Sequence, residues 1–80
     1  METTDTRTLP EIWKTLNAQE QEDLRMGLIM AKTAKSRQAI HYWVNGQRKP
    51  QSDLVRDRVA LVVSRVIGKK CYGRTLFPLV

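Results

Sequence analysis

Hydrophobic residues recur at spacings of three and four along most of this chain, and that pattern predicts helices in series. The first set is Leu9, Ile12, Trp13 and Leu16, which lie on one face of a helix. Pro10 suits the first turn of this helix, where no backbone N–H is needed. The pattern therefore predicts a short first helix that ends near residue 17.

A second helix is predicted to begin at Asn17. Glu20 follows three residues later, which is the spacing of a capping box. The apolar positions of this helix are Leu24, Leu28, Ile29 and Ala31. The helix should fade near Thr33, and Gly27 inside it indicates a close contact with another helix, because glycine otherwise weakens a helix by about 1 kcal/mol.

A third, shorter helix is predicted over residues 36–45. Ser36 can cap it, and Gly46 can adopt the left-handed conformation that ends it. Ile40 and Trp43 should face inward, with Ala39 or Val44 at the edge. Pro50 excludes a helix that continues through it.

The fourth predicted helix runs from a cap at Ser52 to a stop at Gly68. Its apolar residues are Val55, Val59, Val62, Val63, Val66 and Ile67. The β-branched stretch would also permit a strand, but the period of three and four between a cap and a glycine favours the helix.

Residues 69–80 form a tail with no helical period. Its apolar residues are Leu76, Phe77, Leu79 and Val80. We expect them to pack on the helices or on a second chain. With residues 1–8 as a flexible N-terminus, the chain is predicted to be a single domain over 1–80. The fold class is all-α, a small bundle of roughly four or five helices with a non-helical C-terminal tail.

The composition limits the classes of function that this chain is expected to have. The chain has 80 residues, a net charge of +6 and one cysteine, Cys71. A single cysteine makes no internal disulfide and fits a reducing compartment, so a cytoplasmic location is expected. No secretory signal and no apolar run long enough for a bilayer stand out, so no membrane association is expected. No paired carboxylates, glycine-rich phosphate loop or nucleophile–base pair stands out in the sequence, and Cys71 and His41 offer no metal cluster, so we expect neither an enzyme nor a cofactor.

The charge is unevenly placed. Residues 1–23 carry a net charge of −4, while 24–57 and 58–80 each carry +5. No carboxylate lies between Asp23 and Asp53. A segment of one sign is the footprint of a polyanion partner, although a solvated basic face gives the same composition.

The third helix carries polar residues suited to a major groove. Arg37 and Gln38 lie at its N-terminus, the part of a recognition helix that contacts base edges. Arginine pairs two-pronged with guanine and glutamine with adenine. Tyr42 lies one turn further on, and Arg48 and Lys49 follow the helix stop, where they can contact phosphate.

The segment SRQAIHYWVNGQRKP, residues 36–50, resembles the helix-turn-helix segment of phage-repressor and Cro-type DNA-binding domains. The matching positions are Ser36, Ile40, Trp43, Gly46, Arg48 and Pro50. The resemblance implies an all-helical domain with residues 36–45 as its recognition helix. The implied base contacts come from Arg37, Gln38 and Tyr42. The phosphate contacts are expected from Lys35, Ser36, Asn45, Gln47, Arg48 and Lys49.

Two features depart from the family pattern. Ala34 and Lys35 occupy positions where the family usually has a glycine and then an apolar residue, and the preceding helix is about twice the family's usual length. The function expected is sequence-specific binding of double-stranded DNA by a bacterial or phage-type transcriptional regulator. A homodimer through the fourth helix or the tail is expected. The alternative is a helical protein-interaction module. RNA binding is a third possibility that the sequence does not exclude, but no aromatic stacking platform supports it.

Overall fold

The computed structural model describes residues 4–34 and 36–78. It contains five helices: α1 Leu9–Thr15, α2 Ala18–Met30, α3 Arg37–Val44, α4 Asp53–Ile67 and α5 Gly73–Leu76. No strand lies within these described residues, apart from an isolated bridge between Thr4 and Lys70. The predicted all-α class is confirmed. None of the described helices is long and apolar enough to cross a membrane.

The first two helices begin with reciprocal caps. The Thr8 backbone N–H and hydroxyl both donate to the Glu11 carboxylate, at 3.1 and 2.9 Å. Asn17 accepts from the Glu20 N–H at 2.8 Å, and the Glu20 carboxylate accepts from the Asn17 N–H at 3.1 Å. These bonds satisfy N–H groups that have no partner inside a helix. The predicted capping box at Asn17 is confirmed.

The end of α2 lies earlier than predicted and uses an unexpected residue. Thr33 N–H donates to the Leu28 carbonyl at 3.1 Å and Lys32 N–H to the Ile29 carbonyl at 3.0 Å. This pair of bonds is the Schellman arrangement, which needs a left-handed residue just after the helix. Lys32 fills that position with φ of 57°, where glycine is the usual choice.

Lys32→Gly is expected to stabilise the domain by about 0.5–1 kcal/mol, because glycine adopts the left-handed conformation without the Cβ penalty. Urea unfolding of the variant and the parent measures the change. Gly68→Ala is the matched control, because Gly68 has φ of 72° at the end of α4 and a Cβ added there would meet no atom within 4 Å. It should lose about 1 kcal/mol. Equal stability of the Lys32→Gly variant and the parent would contradict the assigned conformation.

The stretch between Ser52 and Gly68 is helical, which confirms the predicted helix over the alternative of a strand. Ser52 occupies the N-cap position, but its side chain makes no capping hydrogen bond. Arg56 instead ties the start of the helix to the preceding loop, donating to the Pro50 carbonyl and to Asp53, both at 2.8 Å. Gly68 ends the helix with its N–H bonded to the Ser64 carbonyl.

All five helices contribute to one core. Its fully buried side chains are Leu9, Ile12, Leu24, Leu28, Ile40, Val59, Val63 and Leu76. Helix α2 lies between α3 and α4 and contacts both. A Cβ added to Gly27 would lie 2.8 Å from Val62 Cγ1, so α2 and α4 approach closely at this glycine. The predicted helix contact at Gly27 is confirmed.

The C-terminal tail is part of the core. It was predicted to be non-helical, but residues 73–76 form the single turn α5, which the lack of a repeating period concealed. Leu76 and Phe77 are buried, and the Phe77 ring meets Trp43 edge-on at 6.2 Å between centroids. These two residues therefore complete the fold of one chain. Leu79 and Val80 lie outside the described residues.

Residues 4–8 contact the other end of the chain. Asp5 N–H donates to the Lys70 carbonyl at 2.8 Å, and the Asp5 carboxylate is buried against Arg7 at 2.6 Å. Hydrogen bonds from Arg7 hold the pKa of Asp5 below its ordinary value. The prediction of a flexible segment over residues 1–8 did not anticipate this pairing.

Candidate nucleic-acid interface

Helix α3 has one buried and one open side. Ser36 Oγ accepts from the Ala39 N–H at 3.3 Å and caps the helix. Ile40 and Trp43 are buried, which confirms the predicted inward face, and Val44, a candidate for its edge, is buried with them. The exposed positions of α3 and its caps are Ser36, Arg37, Gln38, His41 and Asn45. Packing of the buried face thus fixes the position of α3, and its polar face stays exposed to solvent.

Three of the predicted site residues form one connected group on this open side. Gln38 Nε2 donates to the Tyr42 hydroxyl at 3.2 Å, one helical turn away. The Arg48 guanidinium lies over the Tyr42 ring, 4.6 Å from its centroid. Cation–π contact of this kind holds an arginine without a carboxylate partner. Gln38, a predicted base contact, and Arg48, a predicted phosphate contact, therefore both lie against Tyr42.

The end of α3 explains how Arg48 reaches Tyr42. Gly46 has φ of 74°, as predicted, and its N–H donates to the Trp43 carbonyl at 3.2 Å. Gln47 N–H donates to the Tyr42 carbonyl at 3.0 Å. This Schellman turn folds the chain back along the helix. Arg48 consequently lies beside the helix instead of beyond its end.

Arg37 contacts Glu22, an acid that the sequence pattern does not assign to the site. Arg37 Nη2 lies 3.0 Å from Glu22 Oε1, and Arg25 Nη1 lies 3.1 Å from the other Glu22 oxygen. The hydrogen bond from Arg37, together with that from Arg25, lowers the pKa of Glu22. Glu22 joins α2 to the start of α3. Nothing in the local sequence distinguishes it from the other acids of the α2 N-terminus.

The remaining predicted contacts are spread along the edge of this surface. Lys49 donates to the Pro78 carbonyl, which ties the loop after α3 to the tail. The Asn45 amide lies 3.1 Å from His41 Nε2, and Gln47 is exposed. The Ser36 hydroxyl serves as the helix cap. Lys35 lies outside the described residues.

Cys71, which carries a free thiol, is buried. Burial raises the pKa of its thiol, and its backbone N–H donates to Ser64 Oγ at 2.9 Å. Among the residues that the structure describes, no group of three His, Cys, Asp or Glu side chains is placed to hold a metal ion.

Comparisons with protein families, curated proteins and solved structures gave no match to this chain. Kinship with the phage-repressor family therefore remains a hypothesis that rests on residues 36–50.

Proposed function

We propose that this chain is a sequence-specific module for double-stranded DNA, of the type used by bacterial or phage transcriptional regulators. The observation that carries the proposal is the open face of α3. Arg37 and Gln38 project there from a short capped helix whose opposite face is buried. Such a helix, with its N-terminus toward the bases, is the recognition element of helix-turn-helix proteins.

The chemistry of this face suits base edges. Arg37 can donate two hydrogen bonds to guanine, and Gln38 can pair with adenine. Tyr42 orients Gln38 through the bond between the amide and the phenol. The bond between Arg37 and Glu22 limits the directions that the guanidinium can take. Both predicted readers are thus partly ordered in the absence of DNA, which reduces the entropy cost of binding.

Phosphate contacts are proposed at the two ends of α3. Arg48 is held beside the helix by Tyr42, and Lys49 follows it in the same loop. The further proposed contacts are Lys35, Ser36, Asn45 and Gln47. No carboxylate occurs in residues 24–52, and Glu22, the acid nearest to this surface, is matched by two arginines. Repulsion of the DNA backbone is thereby kept low.

A regulator of this kind works in the cytoplasm of a bacterial cell. The single cysteine fits that reducing compartment.

The second candidate function is a helical protein-interaction module. The exposed apolar residues favour it; they are Met26, Met30, Leu54, Leu61 and Tyr72. In this case the positive charge contributes only solubility, and any nucleic-acid binding is weak and indifferent to sequence.

Binding to duplex DNA at several salt concentrations separates the two functions. If roughly four to six phosphates are contacted, log K against log salt should fall with a slope of about −4 to −5. Selection from a random duplex pool should then return a common sequence of a few base pairs. A salt-independent signal, no binding at low salt or an unenriched pool would contradict the proposal.

A further inference from the structure

The outward face of α4 carries apolar residues that are largely exposed to solvent. Leu54 and Leu61 are 60% and 61% exposed, although both lie in a regular helix. The opposite face of α4 packs into the core through Val59 and Val63. Leu61 follows Leu54 by seven positions, so the two leucines lie almost directly above one another along the helix.

Charged side chains flank this pair of leucines on both sides. At about 100° per residue, Arg58 falls roughly 50° to one side of the line joining Leu54 and Leu61, and Asp57 roughly 50° to the other. Arg65 lies on the same side as Arg58. All three charged residues are exposed. The face therefore has an apolar line with a basic edge and an acidic residue at the opposite edge.

The neighbouring helices leave this face open. Helix α2 meets α4 at Val62, and α5 meets it at Arg56 and Asp57: a Cβ on Gly73 would lie 2.8 Å from the Arg56 backbone and 2.9 Å from Asp57 Oδ1. Val62 and Arg56 lie on flanks of α4 away from the leucines. Leu54 and Leu61 stay exposed between these contacts, and α5 borders the acidic edge at Asp57, which is itself exposed.

We propose that a second copy of this chain docks here, with the two α4 helices parallel and related by a two-fold axis along them. This symmetry places Leu54 against the partner's Leu54 and Leu61 against the partner's Leu61. It also brings the basic edge of each helix beside the acidic edge of the other. Asp57 then faces the partner's Arg58 twice, between the two leucine layers.

Charge selects the parallel arrangement over the antiparallel one. In an antiparallel pair each edge of a helix meets the same edge of its partner, which would place Arg58 beside the partner's Arg58 and Asp57 beside the partner's Asp57. Like charges in contact oppose association, and pairs of opposite charge along a helix interface set the orientation. The tail contributes no comparable surface, because Leu76 and Phe77 are buried.

The interface is small, so the two chains should exchange between monomer and dimer. Two leucines and one pair of charges per protomer make a contact at the low end of known interfaces. The inference goes beyond the proposed function, because the contact forms without DNA. It supplies a regulator with two copies of α3, which short recognition helices commonly need for specificity.

Sedimentation equilibrium without DNA tests the contact at about 10–500 µM protein, the range suited to a weak interface. Asp57→Arg places a cation opposite the partner's Arg58 in both symmetric pairs, and Arg58→Asp creates the corresponding acidic clash. Each should weaken self-association about tenfold or more. A mixture of the two variants should associate at least as tightly as the parent, because every 57–58 pair then joins opposite charges. The double variant, Asp57→Arg with Arg58→Asp, should also recover.

Leu61→Glu tests the apolar line, and Met26→Glu is its matched control because Met26 is an exposed apolar residue of another helix, α2. The first should abolish the dimer and the second should leave it intact. Circular dichroism and thermal unfolding establish that each variant folds. A parent that stays monomeric at the highest concentration, or single charge variants that associate like the parent, would overturn the proposal. Because no DNA is present, neither result bears on the function of α3.

Discussion

Phe77→Ala is expected to destabilise the domain by about 3–5 kcal/mol, which is a large part of the stability of a small domain. Phe77 is 3% exposed, and its ring lies edge-on to Trp43 in the core. The substitution removes this aromatic contact and leaves a cavity behind α3. Urea unfolding monitored by tryptophan fluorescence and by circular dichroism measures the loss.

Leu54→Ala serves as the control, because Leu54 is exposed on α4 and its truncation should change the stability by no more than about 0.5 kcal/mol. That measurement is made at low protein concentration, where the proposed dimer is dissociated. A chain that ends at Lys70 lacks both Leu76 and Phe77 and should not fold. A Phe77→Ala variant as stable as the parent, or a folded truncated chain, would show that the tail is not part of the core.

Arg37→Ala is expected to lose about 1–3 kcal/mol of binding free energy on the preferred DNA site and to relax the choice of base there. Gln38→Ala should do the same at a neighbouring position. Lys49→Ala should instead weaken binding to all sequences alike, because a phosphate contact carries no base information. Titration of each variant against the selected site and a scrambled duplex measures both effects.

Glu22→Gln separates the orientation of Arg37 from its presence. The variant keeps Arg37 but weakens the contact that joins it to α2, so the preference for the selected site should fall while binding to the scrambled duplex rises slightly. Lys14→Ala is the control, because Lys14 is exposed on α1 and belongs neither to the proposed DNA contacts nor to the face of α4 that carries Leu54 and Leu61. Unchanged discrimination between the two duplexes by the Arg37→Ala variant would show that α3 is not the recognition helix.

The positions of α1 to α4 follow from the sequence because their signals are local. A capping residue, a period of three or four and a glycine stop all act within a few residues of each other. Asn17 with Glu20, and the left-handed Gly46 and Gly68, behave as those rules predict. The polar side of α3 was likewise predictable, since the same period that buries Ile40 and Trp43 exposes Arg37 and Gln38.

Tertiary structure alone decided the features that depend on distant parts of the chain. The short α5 has no repeating period, and its burial depends on α4 and on Trp43. Lys32 adopts a left-handed conformation that its residue type disfavours, because bonds to Leu28 and Ile29 complete the end of α2. The sequence by itself determined where the helices lie and which side of α3 is polar. Only the packing of α2 against α3 placed Glu22 beside Arg37, because contacts between residues fifteen positions apart leave no periodic trace.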